Sequence, residues 1–261
     1  MASQTSSVRG TQSLARAIAL IKAISEGNTA LSNIVEETQI SKSSAHRLLQ
    51  LLCLEGFISR LDGGGYSLGP RFIEYGYLAR QQSHLPRVSS SVLHELNRTQ
   101  KDTVHLAVRD GDEVLYLEKL PGLRGAEMRS RIGSRMPLTK TGLGRALLLD
   151  STEAEWRTAF RNEHSSASKQ NTQAFVDRMN TFTQRGVTEE LDDNEPGIRC
   201  VAAPIRDVTG GIVGAISLAA TTPYMPEARV KALRNTLRGA AHRISKQLGY
   251  SSMTRALADH P

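Results

Sequence analysis

Cysteine is nearly absent: Cys53 and Cys200 are the only two in 261 residues, too few for a disulfide framework. The seven histidines are scattered, with no Cys/His cluster at metal-ligand spacing. Neither a metal nor another cofactor is expected. No apolar run approaches the roughly 20 residues that span a bilayer, and residues 1–11 are small and polar, without the apolar core of a signal peptide. A cytoplasmic chain with no membrane partner is therefore expected. No internal repeat is evident. Length and composition, with 39% hydrophobic and 23% charged residues, suit a globular chain of two modest domains.

The formal net charge of +7 fits a nucleic-acid partner but does not locate one. Residues 1–82 hold 8 Lys/Arg against 6 Asp/Glu, and residues 83–261 hold 25 against 20. The excess is spread along the chain, so local pattern has to carry the inference.

That pattern lies between Leu31 and Gly69, which reads as helix, tight turn, helix and short hairpin. In the second helix Ala45, Leu48, Leu49 and Leu52 form an i, i+3, i+4, i+7 stripe that packs into a small core. Ser41 is its expected N-cap; Ser44 stands where a capping box needs Glu or Gln, so only the simple cap is expected. Opposite the stripe stand Ser43, Arg47 and Gln50, with no acid before Glu55. Solvated helix faces usually carry Glu and Lys. Hydroxyls, an arginine and an amide instead match phosphates and base edges in a DNA major groove. Arg47 and Gln50 are the candidate base readers, and Lys42, Ser43 and Ser44 the candidate phosphate contacts near the helix start. Phe57–Arg60 and Tyr66–Leu68 read as a wing, with Arg60 a further phosphate candidate. Arg9 reads first as a tail charge and second as a minor-groove arm residue.

Around this segment, Gln12 to Glu26 reads as a helix with Leu14, Ala17, Ile18, Ile21 and Ile24 on one stripe, stopped at Gly27. Pro70 opens an amphipathic segment to Gln82, and a helix after Pro86 runs to Gln100. Thr103–Val108 and Glu113–Lys119 form a hairpin over a glycine turn. A strand is expected over Glu127–Arg131 and helices over 141–149, 152–163 and 171–185. Two strands, Arg199–Arg206 and Ile212–Ala219, precede a final helix over Pro226–Leu248.

Several blocks resemble the IclR family of bacterial transcriptional regulators. They are Gln12-Ser13-Leu14-Ala15-Arg16-Ala17, Ser41 to Leu49, Gly64-Gly65-Tyr66-Ser67-Leu68-Gly69-Pro70, Gly133-Ser134-Arg135-Met136-Pro137-Leu138, Thr141 to Leu147, and Glu195 to Pro204. They stand in the expected order over residues 10–248. The resemblance implies a two-domain α+β chain: an N-terminal winged helix-turn-helix and a C-terminal GAF-like effector-binding domain with an antiparallel sheet. The expected division is a disordered arm (1–10), the DNA-binding domain (11–69), a linker helix (70–85), the effector and oligomerisation domain (86–249) and a polar tail (250–261). Dimers or tetramers on a palindromic operator, and a small organic acid as effector, are implied with it.

The resemblance also implies effector contacts: amides of Gly142 and Leu143, the acidic Glu190, Cys200, and Ser217 on the following strand. A helix starting at Gly142 would offer free amides and a positive dipole end to a carboxylate. Ser217 shares a strand face with the small Val213, Ala215 and Ala219. Met128 and Ser130 alternate to one face and are candidate lining residues, and Lys140 is a candidate counter-charge or an ordinary solvated loop lysine. The chain departs from the family pattern in four places. Glu190 stands where Asp is commoner, implying a shallower pocket. Ala219 replaces a second strand serine. The loop reads Thr139-Lys140-Thr141-Gly142 in place of His-Ala-Thr-Ala. Gln39 replaces the turn glycine, at about 1 kcal/mol if its backbone is left-handed.

Cys200 has three readings: ligand-lining, plain packing, or redox sensing, the last requiring a lowered thiol pKa. An enzyme with Cys200 or a serine as nucleophile would need an oriented base, and His105 is the one histidine on a candidate strand; no triad motif accompanies it, so no enzyme is expected. An architectural DNA-binding dimer that ignores effectors is the remaining alternative.

Overall fold

The computed structural model describes residues 11–82, 84–124, 128–166 and 168–251, and the chain divides into two compact units between Ser83 and His84. The arm with Arg9, residue 127 of the expected strand, and residues 252–261 lie outside the described residues.

The first unit contains helices α1 (Gln12–Ser25), α2 (Leu31–Thr38) and α3 (Lys42–Leu54), the hairpin β1 (Ile58–Arg60) and β2 (Tyr66–Leu68), and α4 (Arg71–Gln82). Leu20, Ala23, Ile24, Ile34, Ile40, Ala45, Leu49, Leu52, Ile58 and Tyr66 form one small core. Burying such side chains is worth about 1.5–3 kcal/mol each. The stripe expected for α1 is corrected in part: Ala17, Ile21 and Ile24 pack into this core, while Leu14 and Ile18 are 62% and 57% exposed. This helix is apolar on two sides, so periodicity offers two stripes, and packing against α2 and α3 selects the one through Leu20, Ala23 and Ile24. Gln39 does adopt the left-handed conformation (φ 55°) at the end of α2, and its side-chain amide donates to the Glu36 carbonyl at 2.6 Å.

Antiparallel β1 and β2 pair Ile58 with Leu68 and Arg60 with Tyr66. The hairpin is tied to the rest of the unit by Tyr66 N, which donates to Thr29 O at 2.8 Å. That approach requires glycine next door: a Cβ on Gly65 (φ +117°) would lie 2.9 Å from Thr29 O.

The second unit opens with α5 (His84–Gln100) and contains one six-stranded antiparallel sheet. Its strands are β3 (Thr103–Asp110), β4 (Glu113–Leu120), β5 (Arg135–Pro137), β6 (Thr188–Leu191), β7 (Ile198–Arg206) and β8 (Ile212–Thr221), in the order β5-β4-β3-β8-β7-β6. Helix α5 and the long C-terminal helix α9 (Glu227–Gln247) cover one face, burying Val104, Leu106, Val201, Ile216 and Leu218 against Leu93, Leu96, Leu237 and Ile244. Helices α6 (Gly142–Leu147), α7 (Glu153–Glu163) and α8 (Lys169–Arg185) build a second core on Ala107, Val114, Tyr116, Ala202 and Ala215. The sheet thus lies between helical layers.

Two strands differ from the expectations. The described residues 128–131 are not a strand; the segment meets β4 through Gly133 and Ser134 and pairs with it as a strand at β5, Arg135–Pro137. Strand β6, rich in glutamate, was not expected. Its Glu189 is buried because Arg234 of α9 pairs with it, and an acid so partnered tolerates an interior position.

Candidate functional site

On the first unit the α3 face forms as expected. Ser41 caps the helix, accepting from Ser44 N at 3.4 Å, and the Ala45, Leu49 and Leu52 stripe is buried with Leu48 half-buried beside it. Lys42, Ser43, Arg47 and Gln50 are exposed. Lys42, Arg47, Gln50 and the exposed Arg60 on β1 have no side-chain partner among the described residues. Ser44 is half-buried, its hydroxyl accepting from Ser41 Oγ at 3.0 Å. His46, exposed one residue before Arg47, extends the polar face and was missed because one histidine carries no pattern. The result is a convex helix studded with unpaired donors and free of acids, the form that enters a major groove.

The second unit holds a cavity of about 240 Å³ on the α6 side of its sheet. Strand register builds its floor. One row across the sheet runs Glu190, Cys200, Ala219; the next row on the same face runs Ala202, Ser217, His105. The start of α6 forms a wall: Gly142 and Leu143 line the cavity, and a Cβ on Gly142 would stand 2.5 Å from Cys200 Sγ. Thr141 fixes this start by accepting from Gly144 N at 3.0 Å, while Thr188 Oγ1 donates to Gly142 O at 2.7 Å. The loop before β5 supplies Met128 and Ser130, held by Lys119 Nζ, which donates to both of their carbonyls at 2.7 Å. Tyr116, Met136, Asn194, Glu195 and Ile198 complete most of the remaining wall.

Polar groups inside are bonded to one another. His105 Nε2 lies 2.8 Å from Ser130 Oγ, and Nδ1 lies 3.4 Å from Ser217 Oγ. Burial, helped by the Lys119 charge, pushes the His105 imidazole down to about 3, so it is neutral and a poor base. Burial also pushes the Cys200 thiol up, with the Glu190 charge adding to it. That is the opposite of a reactive thiolate. Burial raises Glu190 to about 7, against the pull of the Asn194 amide, Arg145 and the Asp193 amide. Its Oε1 accepts from Asp193 N at 2.9 Å and Asn194 N at 3.2 Å. Behind the wall, buried Arg145 donates to Thr139 O and Glu189 O, both at 2.8 Å, and pairs with Asp193 at 2.7 Å.

Of the residues expected from the sequence, Met128, Ser130, Gly142, Leu143, Glu190, Cys200 and Ser217 all come together at this cavity. Lys140 does not. It lies outside the lining, where its charge helps lower His164, an imidazole depressed chiefly by desolvation. Thr141, capping α6, occupies the wall position in its place. The sequence had offered His105 only as a base for an enzyme, and gave no signal for Tyr116, Asn194 or Glu195, whose positions depend on register and on the loop after β6. Among the described residues no His/Cys/Asp/Glu group could hold a metal ion, and no helix is long and apolar enough to cross a membrane.

A winged helix-turn-helix joined in one chain to an α+β unit with a half-open cavity of mixed apolar and polar lining defines a class, the two-domain DNA-binding regulators. The chain matches the IclR helix-turn-helix domain over residues 13–62 and the bacterial transcriptional regulator IclR C-terminal domain over residues 78–246. It belongs to the IclR family of transcriptional regulators. It is 30% identical to the HTH-type transcriptional regulator XynR of Escherichia coli, covering 92% of this chain and 98% of that one. The crystal structure of Thermotoga maritima IclR superposes with a TM-score of 0.73 at 27% identity, over 91% of this chain and 98% of that one. An IclR homologue from Microbacterium hydrocarbonoxydans complexed with 4-hydroxybenzoate superposes with a TM-score of 0.76 over 92% of this chain and all of that one; at 23% identity the likeness is one of fold.

Proposed function

We propose that this regulator binds an approximately palindromic operator as a homodimer or homotetramer, represses, and changes its operator affinity when a small organic acid enters the cavity of the second unit. Lys42, Ser43, Ser44 and Arg60 hold phosphates, while Arg47 and Gln50 read bases. The observation that carries the effector reading is the cavity itself, where hydroxyls, a neutral imidazole and a carboxyl group converge on a hollow. An effector-independent architectural dimer has no use for it. The volume lies below the ~300–1,000 Å³ of drug-sized sites, which favours small molecules. Apolar Leu14 and Ile18, exposed one turn apart on α1, support self-association. Repression needs only occupancy of the duplex, whereas activation needs a further protein surface. His105, too weak a base, and Cys200, held as a thiol, argue against an enzyme, and the chain is expected to work in the cytoplasm.

The test is fluorescence anisotropy of the full-length protein with the duplex upstream of its own gene, in excess nonspecific DNA, with and without pooled carboxylates. Tight, competitor-resistant binding moved by one pool is the expected result. The coupling should be about 1–3 kcal/mol and reciprocal between DNA and acid. Specific binding indifferent to every pool would leave the architectural reading in its place.

A further inference from the structure

Resting on the organic-acid reading above, we propose that the cavity takes a monocarboxylic acid together with one proton, the proton held between the ligand carboxylate and the Glu190 carboxyl group. The cavity's described charged lining residues are Glu190, Glu195 and Arg129. Arg129 is 90% exposed at its side chain and reaches Glu195 at 3.5 Å, so it is a rim charge. Lys119, beneath the 128–130 loop, is engaged with two carbonyls, and Lys140 lies outside. No buried cation in the lining meets an incoming carboxylate.

A buried acid does meet it. Glu190 is 4% exposed and lines the hollow. Its Oε1 is taken by two backbone amides, and Oε2 has no hydrogen-bond partner among the described residues. The groups facing it come from every neighbouring element: Arg145 from α6, Asp193 from the loop after β6, Cys200 from β7 and Tyr116 from β4, with His105 of β3 neutral on the same face. Of these only Arg145 is positive, and it is already bonded to Asp193. On α8, Arg178 also serves Asp193, and on α9 Arg234 serves Glu189.

Two carboxylates in one desolvated site do not both stay ionised; they share a proton. Glu190, raised to about 7 before any ligand enters, takes that proton from solvent at little cost near neutrality. Its O–H then donates to the ligand carboxylate, and one net negative charge is left in the site instead of two. A dicarboxylate would bring a second charge with no counter-ion, so the site selects monoacids.

The experiment is a thermal-shift panel on the full-length protein at pH 6 and pH 8, using acetate, glycolate, pyruvate, gluconate and benzoate with the corresponding dicarboxylates and neutral amides. The bound acid is then titrated calorimetrically in two buffers of different ionisation enthalpy. Affinity should fall about tenfold from pH 6 to pH 8, because only the protonated Glu190 form binds. Uptake of close to one proton is expected at pH 8 and close to none at pH 6, and Glu190→Gln should bind the acid equally at both. The wild-type calorimetry stands even if that variant does not fold. An acid bound equally at both pH values without proton uptake, or a pH dependence that survives in Glu190→Gln, overturns the shared proton alone. A panel in which only neutral molecules stabilise the protein, or none does, overturns the organic-acid reading and the inference with it.

Discussion

On the first unit, Lys42, Arg47, Gln50 and Arg60 stand exposed with no side-chain partners among the described residues, on elements held by a core that does not include them. In the second, Glu190, His105, Cys200 and Ser217 are all buried and tied to each other or to backbone. The difference teaches where each surface keeps its polar groups before its ligand arrives. A DNA-facing helix leaves donors to water, which is cheap, and exchanges water for phosphate and base edges. A cavity has already removed its groups from water and must satisfy them internally. Changes to the first face should therefore move binding and leave stability alone, while changes to the second should move both.

The largest effect is expected behind the cavity. Arg145→Met leaves the Thr139 and Glu189 carbonyls without their donor and Asp193 with Arg178 alone, and each buried acceptor left unsatisfied costs about 1–3 kcal/mol. Trp156, the single tryptophan and buried in the second unit, reports this in urea unfolding. A loss below about 1 kcal/mol would break the comparison at its strongest point. Next, Gly142→Val places carbon where Cys200 Sγ stands. It should abolish acid binding and cost about 1–3 kcal/mol of stability, while anisotropy finds operator binding retained.

Arg47→Ala and Gln50→Ala should each cost about 1–3 kcal/mol of specific operator affinity, with stability changed by no more than about 0.5 kcal/mol. Lys42→Ala should weaken all sequences alike and lower the salt slope by about 0.9. A Lys42→Ala effect confined to one sequence would reverse the division between readers and phosphate contacts.

The smallest effect is one of pH. Folding raises Glu190 from 4.5 to about 7, so the folded state holds an extra proton between those values and gains stability as pH falls through them. Folding lowers His105 from 6.5 to about 3, so the unfolded state holds the extra proton and stability is lost as pH falls below 6.5. The two slopes oppose, each by at most about 1.4 kcal/mol per pH unit. These two groups therefore nearly cancel between pH 4.5 and 6.5, leaving the wild-type second unit with only the shallow loss that the depressed, largely solvated His164 adds as pH falls. In Glu190→Gln the histidine is unopposed, and Trp156-monitored stability should decline from pH 6.5 downwards.

Much of this was legible in the chain. The α3 stripe and its polar face, the Ser41 cap, the wing and the β7–β8 pair are local patterns of period 3.6 or 2, set by neighbours a few residues apart. The face that α1 buries was legible only in part, because its apolar residues are wider than one stripe and packing against α2 and α3 keeps Ala17, Ile21 and Ile24 but leaves Leu14 and Ile18 outside. Nor was β6 legible, since Glu189 and Glu190 deny it a strand's composition and are tolerated only through Arg234 and two backbone amides. Lys140 was misplaced for a similar reason: a loop residue's neighbours in sequence do not say which way the loop faces.

By itself the sequence determined most of the helices, the wing and the β3–β4 and β7–β8 hairpins, that a donor-rich, acid-free helix presents itself for DNA, and which family the chain resembles. These depend on periodicity, capping and turn chemistry, which act over one or two helical turns. Only the tertiary structure decided that Glu190, Cys200 and Ala219 form one row and His105 and Ser217 the next, with Gly142 above them. Register across a sheet is set by packing on both its faces, and a slip of one residue would have turned every one of those side chains out of the cavity.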